Sequence, residues 1–155
     1  MLRRLYFSRI GLVVESIIIG LAAGSMVSLF RFALIQADQY RRIYYERLSG
    51  TAGNGWLVPL LIQVFLFLVL GLFLGWLSVW KPMTKGSGIP QLKGYFEGMF
   101  QFQWLSELLV KMVSGILGIG AGLSLGREGP SVQIGSYVGM GIVSRSLRSE
   151  VEKNT

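Results

Sequence analysis

Gly126-Arg127-Glu128-Gly129-Pro130 joins a long apolar segment ending at Leu125 to a shorter one beginning at Ser131. Arg127 and Glu128 therefore lie between two segments greasy enough for a bilayer. Ionisable residues at such depth are costly, and those that persist face a cavity and mark a substrate or ion path. Pro130 suits the first turn of a helix, where its missing N–H costs nothing. The orphan N–H groups and positive dipole end of that helix are expected to point back at Glu128. An anion-attracting backbone thus sits beside a carboxylate that can fill it.

Forty positions earlier, Gly86-Ser87-Gly88-Ile89-Pro90 has the same format. Glycine lets backbone approach an ion closely, Ser87 offers a hydroxyl donor, and Pro90 again falls near a helix start. A capping turn between two spans would account for either loop alone. The pair is more specific, because two such loops meeting at mid-membrane resemble the broken-helix ion sites of transporters.

The two motifs, the second continued by Ser131-Val132-Gln133-Ile134-Gly135, resemble the N-terminal signatures of the CLC family of chloride channels and chloride/proton antiporters. The likeness runs from about Ile10 to the end of the chain. It implies an all-α membrane protein forming part of the first of two inverted repeats. It also implies chloride, and in the antiporters protons, as transported ions, and a homodimer in the complete protein. Ser87, Gly88, Ile89, Arg127, Glu128 and Gly129 match the anion-binding positions, with Glu128 as the gate. Arg127 and Lys111 would raise the local positive potential. The family's later anion ligands, a Gly-Lys-Phe-Ala-Pro-like loop and a late tyrosine, have no match before Thr155. The chain is therefore expected to be an N-terminal fragment or truncated product, with the second half of the fold absent. Its alternative function is a non-transporting membrane piece. Channel and antiporter both stay open, and Ser87, where a proline would point to nitrate, favours chloride.

Composition supports a membrane chain independently. Of 155 residues, 52% are hydrophobic and 15% charged, and the apolar ones fall in long blocks that a soluble domain of this size would not carry. Neither cysteine nor histidine occurs, which excludes disulfides and metal sites built on those residues. No cofactor is expected. The formal charge of +7 comes from basic residues that flank apolar segments and form no single stripe. Headgroup contact explains them better than nucleic acid. An enzymatic or nucleotide-binding reading finds no Gly-x4-Gly-Lys-Ser/Thr and no well-placed Gly-x-Gly-x-x-Gly. Glu97, Glu107 and Glu128 show no paired acid/base spacing.

In chain order, a helix is expected over 10–47, its apolar first part from Ile10 to Leu29 exceeding the ~7–15 residues of a signal-peptide core. A polar extension through Gln36, Tyr40 and Tyr44 follows, then a loop from Ser49 to Gly55. The charge-free stretch 56–80 spans, with Trp56, Trp76 and Trp80 at the interfaces. Lys81 and Lys85, with Arg3, Arg4 and Arg9, place the N-terminus in the cytoplasm of a multi-pass plasma-membrane protein. Arg41, Arg42 and Arg47 weaken that vote. A half-helix is expected over 88–100 and a third membrane helix over 104–125, where Gly118, Gly122 and Gly126 form a small-residue packing ridge. Glu107 and Lys111 at i,i+4 spacing offer a second account of Lys111, as a snorkelling lysine paired with Glu107. A last helix over 129–147 reads as partial, because charge-free Pro130–Ser144 covers only about 22 Å of a ~30 Å core.

Overall fold

The computed structural model describes residues 2–51, 57–99 and 103–153, and every long element among them is helical. Helix α1 (Leu2–Thr51) runs 50 residues without interruption, about 75 Å at about 1.5 Å per residue. It outruns the expected 10–47 at both ends. No proline occurs before Pro59 to stop it, and Ser49-Gly50-Thr51 closes its last turn. The rest of the expected loop, with Trp56, lies outside the described residues.

Helix α2 (Leu57–Trp80) is 24 residues long and carries no charge. Among the described residues, it and the Gly11–Leu48 part of α1 are the two helices long and apolar enough to cross a membrane. Hydroxyls within such helices need an acceptor that lipid cannot supply. Ser16 and Ser25 find it one turn back, on the carbonyls of Leu12 and Leu21, each at 2.7 Å. Trp76 and Trp80 stack at 6.0 Å between centroids, and the Lys81 ammonium lies over the Trp80 ring.

Three more helices follow a single 3₁₀ turn at Pro82–Thr84. They are α3 (Ile89–Phe96), α4 (Trp104–Gly120) and α5 (Glu128–Lys153). Both α3 and α4 stop short of the expected 100 and 125, for one physical reason. Each closes in a Schellman motif around a left-handed glycine. In α3, Gly98 has φ 75°, and Met99 N donates back to the Gly94 carbonyl at 2.8 Å. In α4, Gly122 has φ 96°, and Leu123 N reaches the Gly118 carbonyl at 3.1 Å.

The expected ridge is revised by the same fact, because Gly122 and Gly126 fall beyond the end of α4. Within α4 the close contacts to α1 come from Gly115 and Gly120, while Gly122 past its end meets Arg41 and Gly126 meets nothing. A Cβ on Gly115 would lie 3.0 Å from the Phe30 ring, and one on Gly120 would lie 2.7 Å from the Ala37 Cβ. Small residues thus let α4 seat against α1.

The last helix also departs from expectation. It spans 26 residues against the 129–147 foreseen, since the polar run after Ser144 contains neither glycine nor proline and stays helical to Lys153. It reaches about 39 Å only through the charged run after Ser144, and its charge-free part still covers about 22 Å. Phe30 and Leu34 of α1, Leu108 and Ile119 of α4, and Ile134, Tyr137 and Val138 of α5 make the core. Helix α2 sits at its edge, with Leu77 its one buried residue. Both loops that open the partial-helix motifs emerge on the α4–α5 side of this core.

Candidate functional site

The two Gly–Pro loops touch. A Cβ added to Gly129 would lie 2.8 Å from the Ser87 Cα and 3.0 Å from the Ser87 carbonyl oxygen, so only glycine permits this approach. Gly86 and Gly88 of the first loop take left-handed φ values of 63° and 78°, and Gly88 caps α3 ahead of Pro90. In the second loop, Ser131 closes the first turn of α5 with its amide and hydroxyl both directed to the Arg127 carbonyl, at 3.4 and 2.8 Å.

A cavity of about 420 Å³ opens where the loops meet. Gly86, Ser87, Gly126, Gly129 and Pro130 line it from the loops, and Lys111, Ser114, Gly115 and Ile119 from α4. Thr84, Lys85, Ser78 and Ser124 add polar groups to the wall. Its two charged lining residues are both lysines, and no carboxylate takes part. Among the described residues the Ser87 hydroxyl has no hydrogen-bond partner, which leaves its donor for a ligand. Ser78, Ser124 and Thr84 were not singled out in the sequence, because an isolated hydroxyl in an apolar run carries no spacing signal.

Lys111 is 4% exposed. Its ammonium donates to the carbonyls of Thr84 at 2.8 Å and Gly86 at 2.7 Å. This corrects the reading of Lys111 as a snorkelling partner of Glu107. No Glu107–Lys111 ion pair forms among the described residues, and the fold brings the loop's carbonyls closer than the neighbouring turn can. An ammonium has three donors, so two carbonyls leave one unspent at the cavity wall. Burial without a paired carboxylate keeps that positive charge largely uncompensated. Glu107, itself buried, accepts weakly from the Gln103 amide at 3.4 Å.

The remaining sequence-predicted residues lie around the cavity without lining it. Gly88 is buried against Gln133, while Ile89, Arg127 and Glu128 are exposed. Glu128 is the first residue of α5 and so sits within the opening turn, not ahead of a helix that starts at Pro130. Neither Arg127 nor Glu128 forms an ion pair among the described residues.

Comparison with known proteins decides the family. The model of the voltage gated chloride channel family matches residues 69–155, which takes in both loops. The chain belongs to that family. Among curated relatives, it is 35% identical over 126 residues to the H(+)/Cl(-) exchange transporter ClcA of Vibrio cholerae, covering 80% of this chain and 26% of that protein. The ClcA of Cronobacter sakazakii is 36% identical over 135 residues, 86% of this chain and 28% of its own length. That of Vibrio parahaemolyticus is 33% identical over 124 residues, covering 79% and 26%. The chain thus spans about a quarter of the length of these relatives. No solved structure matches it. As a voltage gated chloride channel family member it is an all-helical membrane protein, and its two signature loops are the ones that converge on the cavity.

Proposed function

We propose that this chain supplies the N-terminal part of a chloride pathway, with the ion held between the Gly86–Ile89 and Gly126–Pro130 loops. The observation that carries the reading is the cavity itself, walled by hydroxyls and two lysines without a carboxylate. Such a lining disfavours cations and offers an anion direct donors. Ser87 donates its hydroxyl, the Gly88 and Ile89 amides lie at the start of α3, and the N-terminus of α5 adds its dipole through Arg127 and Gly129. Lys111 and Arg127 set the positive potential. Glu128, at the first turn of α5, is the gate. Ionised, its carboxylate competes with chloride for the helix-start amides; protonated, it swings away and admits the ion.

The relatives named above exchange protons for chloride, which favours proton-coupled exchange over a passive channel. The complete protein is then a multi-pass plasma-membrane dimer with its N-terminus in the cytoplasm, and no cofactor enters the mechanism. The alternative, a membrane piece that does not transport, predicts an inert cavity. The experiment uses Ser87→Pro in the complete protein, with reversal potentials read in chloride/nitrate mixtures. Removing one hydroxyl donor at the site relaxes the preference set by direct coordination, so selectivity shifts toward nitrate. Unchanged reversal potentials overturn the site.

A further inference from the structure

Gln133 belongs to the signature that continues past Pro130, yet the pathway uses α5 only for its N-terminus. The side chain is fully buried, at 0% exposure. Its Nε2 donates to the Met83 carbonyl at 2.8 Å and to the Tyr137 hydroxyl at 2.7 Å. A backbone carbonyl can only accept, so the nitrogen end of the amide must be the end that faces Met83. The oxygen end is left buried with no hydrogen-bond partner among the described residues. It presses on Gly88, where an added Cβ would lie 2.3 Å from the amide carbon and 2.4 Å from Oε1. Met83 precedes Ser87 by four residues and Gly88 follows it. One amide therefore grips the loop on both sides of the proposed chloride donor.

The loop needs such a grip. Gly86 and Gly88 both sit at left-handed φ, and glycine imposes little conformational preference of its own. Gln91 holds the Lys85 carbonyl from within α3, and the remaining grip on the backbone, and with it on the direction of the Ser87 hydroxyl, comes from α4 and α5. Lys111 of α4 holds the carbonyls of Thr84 and Gly86, while Gln133 of α5 holds Met83 and abuts Gly88. Tyr137, also fully buried, backs the amide by accepting its second N–H at 2.7 Å. A buried amide with one end unsatisfied costs more than an apolar side chain of equal volume. Packing alone does not account for glutamine here.

The geometry points to Gln133 as a positioning residue that clamps the Gly86–Ile89 loop and thereby sets how sharply the site discriminates among anions. The inference rests on the chloride-pathway reading, and its test separates the two. The complete native protein is reconstituted as wild type, Gln133→Met and Ser87→Pro, and chloride and nitrate fluxes are compared. Hydrogen exchange is followed across residues 84–92 in the same samples. Methionine keeps the volume and removes both donors. The chloride-over-nitrate ratio is expected to fall roughly threefold or more, the loss of about one buried hydrogen bond, with faster exchange in the loop. A merely structural role would slow both anions equally and leave the ratio alone, which would overturn the clamp. Unchanged exchange in Gln133→Met overturns it too, whatever Ser87→Pro does. Faster exchange in Gln133→Met with no selectivity change in Ser87→Pro sinks the pathway reading and leaves the loop clamp standing. Should Gln133→Met fail to fold, Tyr137→Phe keeps the Met83 bond and loosens only the backing. A smaller shift in the same direction supports the proposal, and an unchanged ratio with unchanged exchange defeats it.

Discussion

Glu128 opens α5 exposed and without an ionic partner among the described residues, so its charge is available to act rather than committed to a salt bridge. Glu128→Gln keeps the shape and hydrogen bonding but cannot ionise. If the carboxylate is the gate, the complete mutant passes chloride with little dependence on external pH, and proton coupling disappears. If it only caps α5, losing an acidic residue from the first turn costs about 0.3–1 kcal/mol, and transport falls with stability while keeping its pH profile. A chloride flux assay across external pH decides between them, and a wild-type profile in the mutant counts against the gate. Lys111 shows where residue-scale reading stopped. Its type and position marked it as a cation near the path. The i,i+4 rule could only offer Glu107 as its partner, because that rule sees one helix face. The true acceptors, the Thr84 and Gly86 carbonyls, are 27 and 25 residues away and are brought in by the fold. Gln133 was hidden for the same reason, since its acceptor Met83 lies 50 residues back.

At the scale of elements, the convergence of the two loops depends on one glycine. Gly129→Ala places a Cβ 2.8 Å from backbone of the other loop, which cannot yield as a flexible side-chain end would. Overpacking of this kind costs about 1–3 kcal/mol. The expected result is a lower melting temperature in detergent and loss of chloride flux in the complete protein. Gly126→Ala is the control, because nothing lies within 4 Å of its Cβ and its φ is unexceptional. Equal losses from the two substitutions would refute the loop contact. The two loops themselves were legible in sequence, since Gly and Pro at helix starts act through local sterics that need no tertiary information. Where α3 and α4 end was not. Gly98 and Gly122 stop them through left-handed Schellman turns, but each sits in a glycine-rich stretch where several glycines could do so. The Gly118–Gly122–Gly126 spacing looked like a ridge only on the assumption that the helix continued. The full length of α5 is not legible from its charge-free run, because a helix need not stop where its apolar face does.

Across the whole molecule, the cavity is walled on one side more than the other. Ser87, Ile89, Arg127 and Glu128 are all exposed, while Lys111 and Gly88 are enclosed. Non-helical backbone at membrane depth is tolerated only where protein or water covers it. Besides the two loops, the wall comes from Lys111, Ser114, Gly115 and Ile119 of α4 and from Leu74 and Ser78 of α2, while the side toward Ser87 and Glu128 is open. On the chloride-pathway reading, these loops and helices form one wall of the anion site, open on the side of Ser87 and Glu128. Coordination from a single side binds an anion weakly and gives no sealed route across the bilayer. These 155 residues alone, reconstituted in liposomes, are therefore expected to show no sustained chloride flux, while the complete protein does. The measurement is chloride efflux with glucose retention read in parallel, so that a leaky bilayer is not mistaken for a pathway. Anion-selective efflux from the 155-residue chain with glucose retained would mean that one wall, or two copies facing each other, is enough.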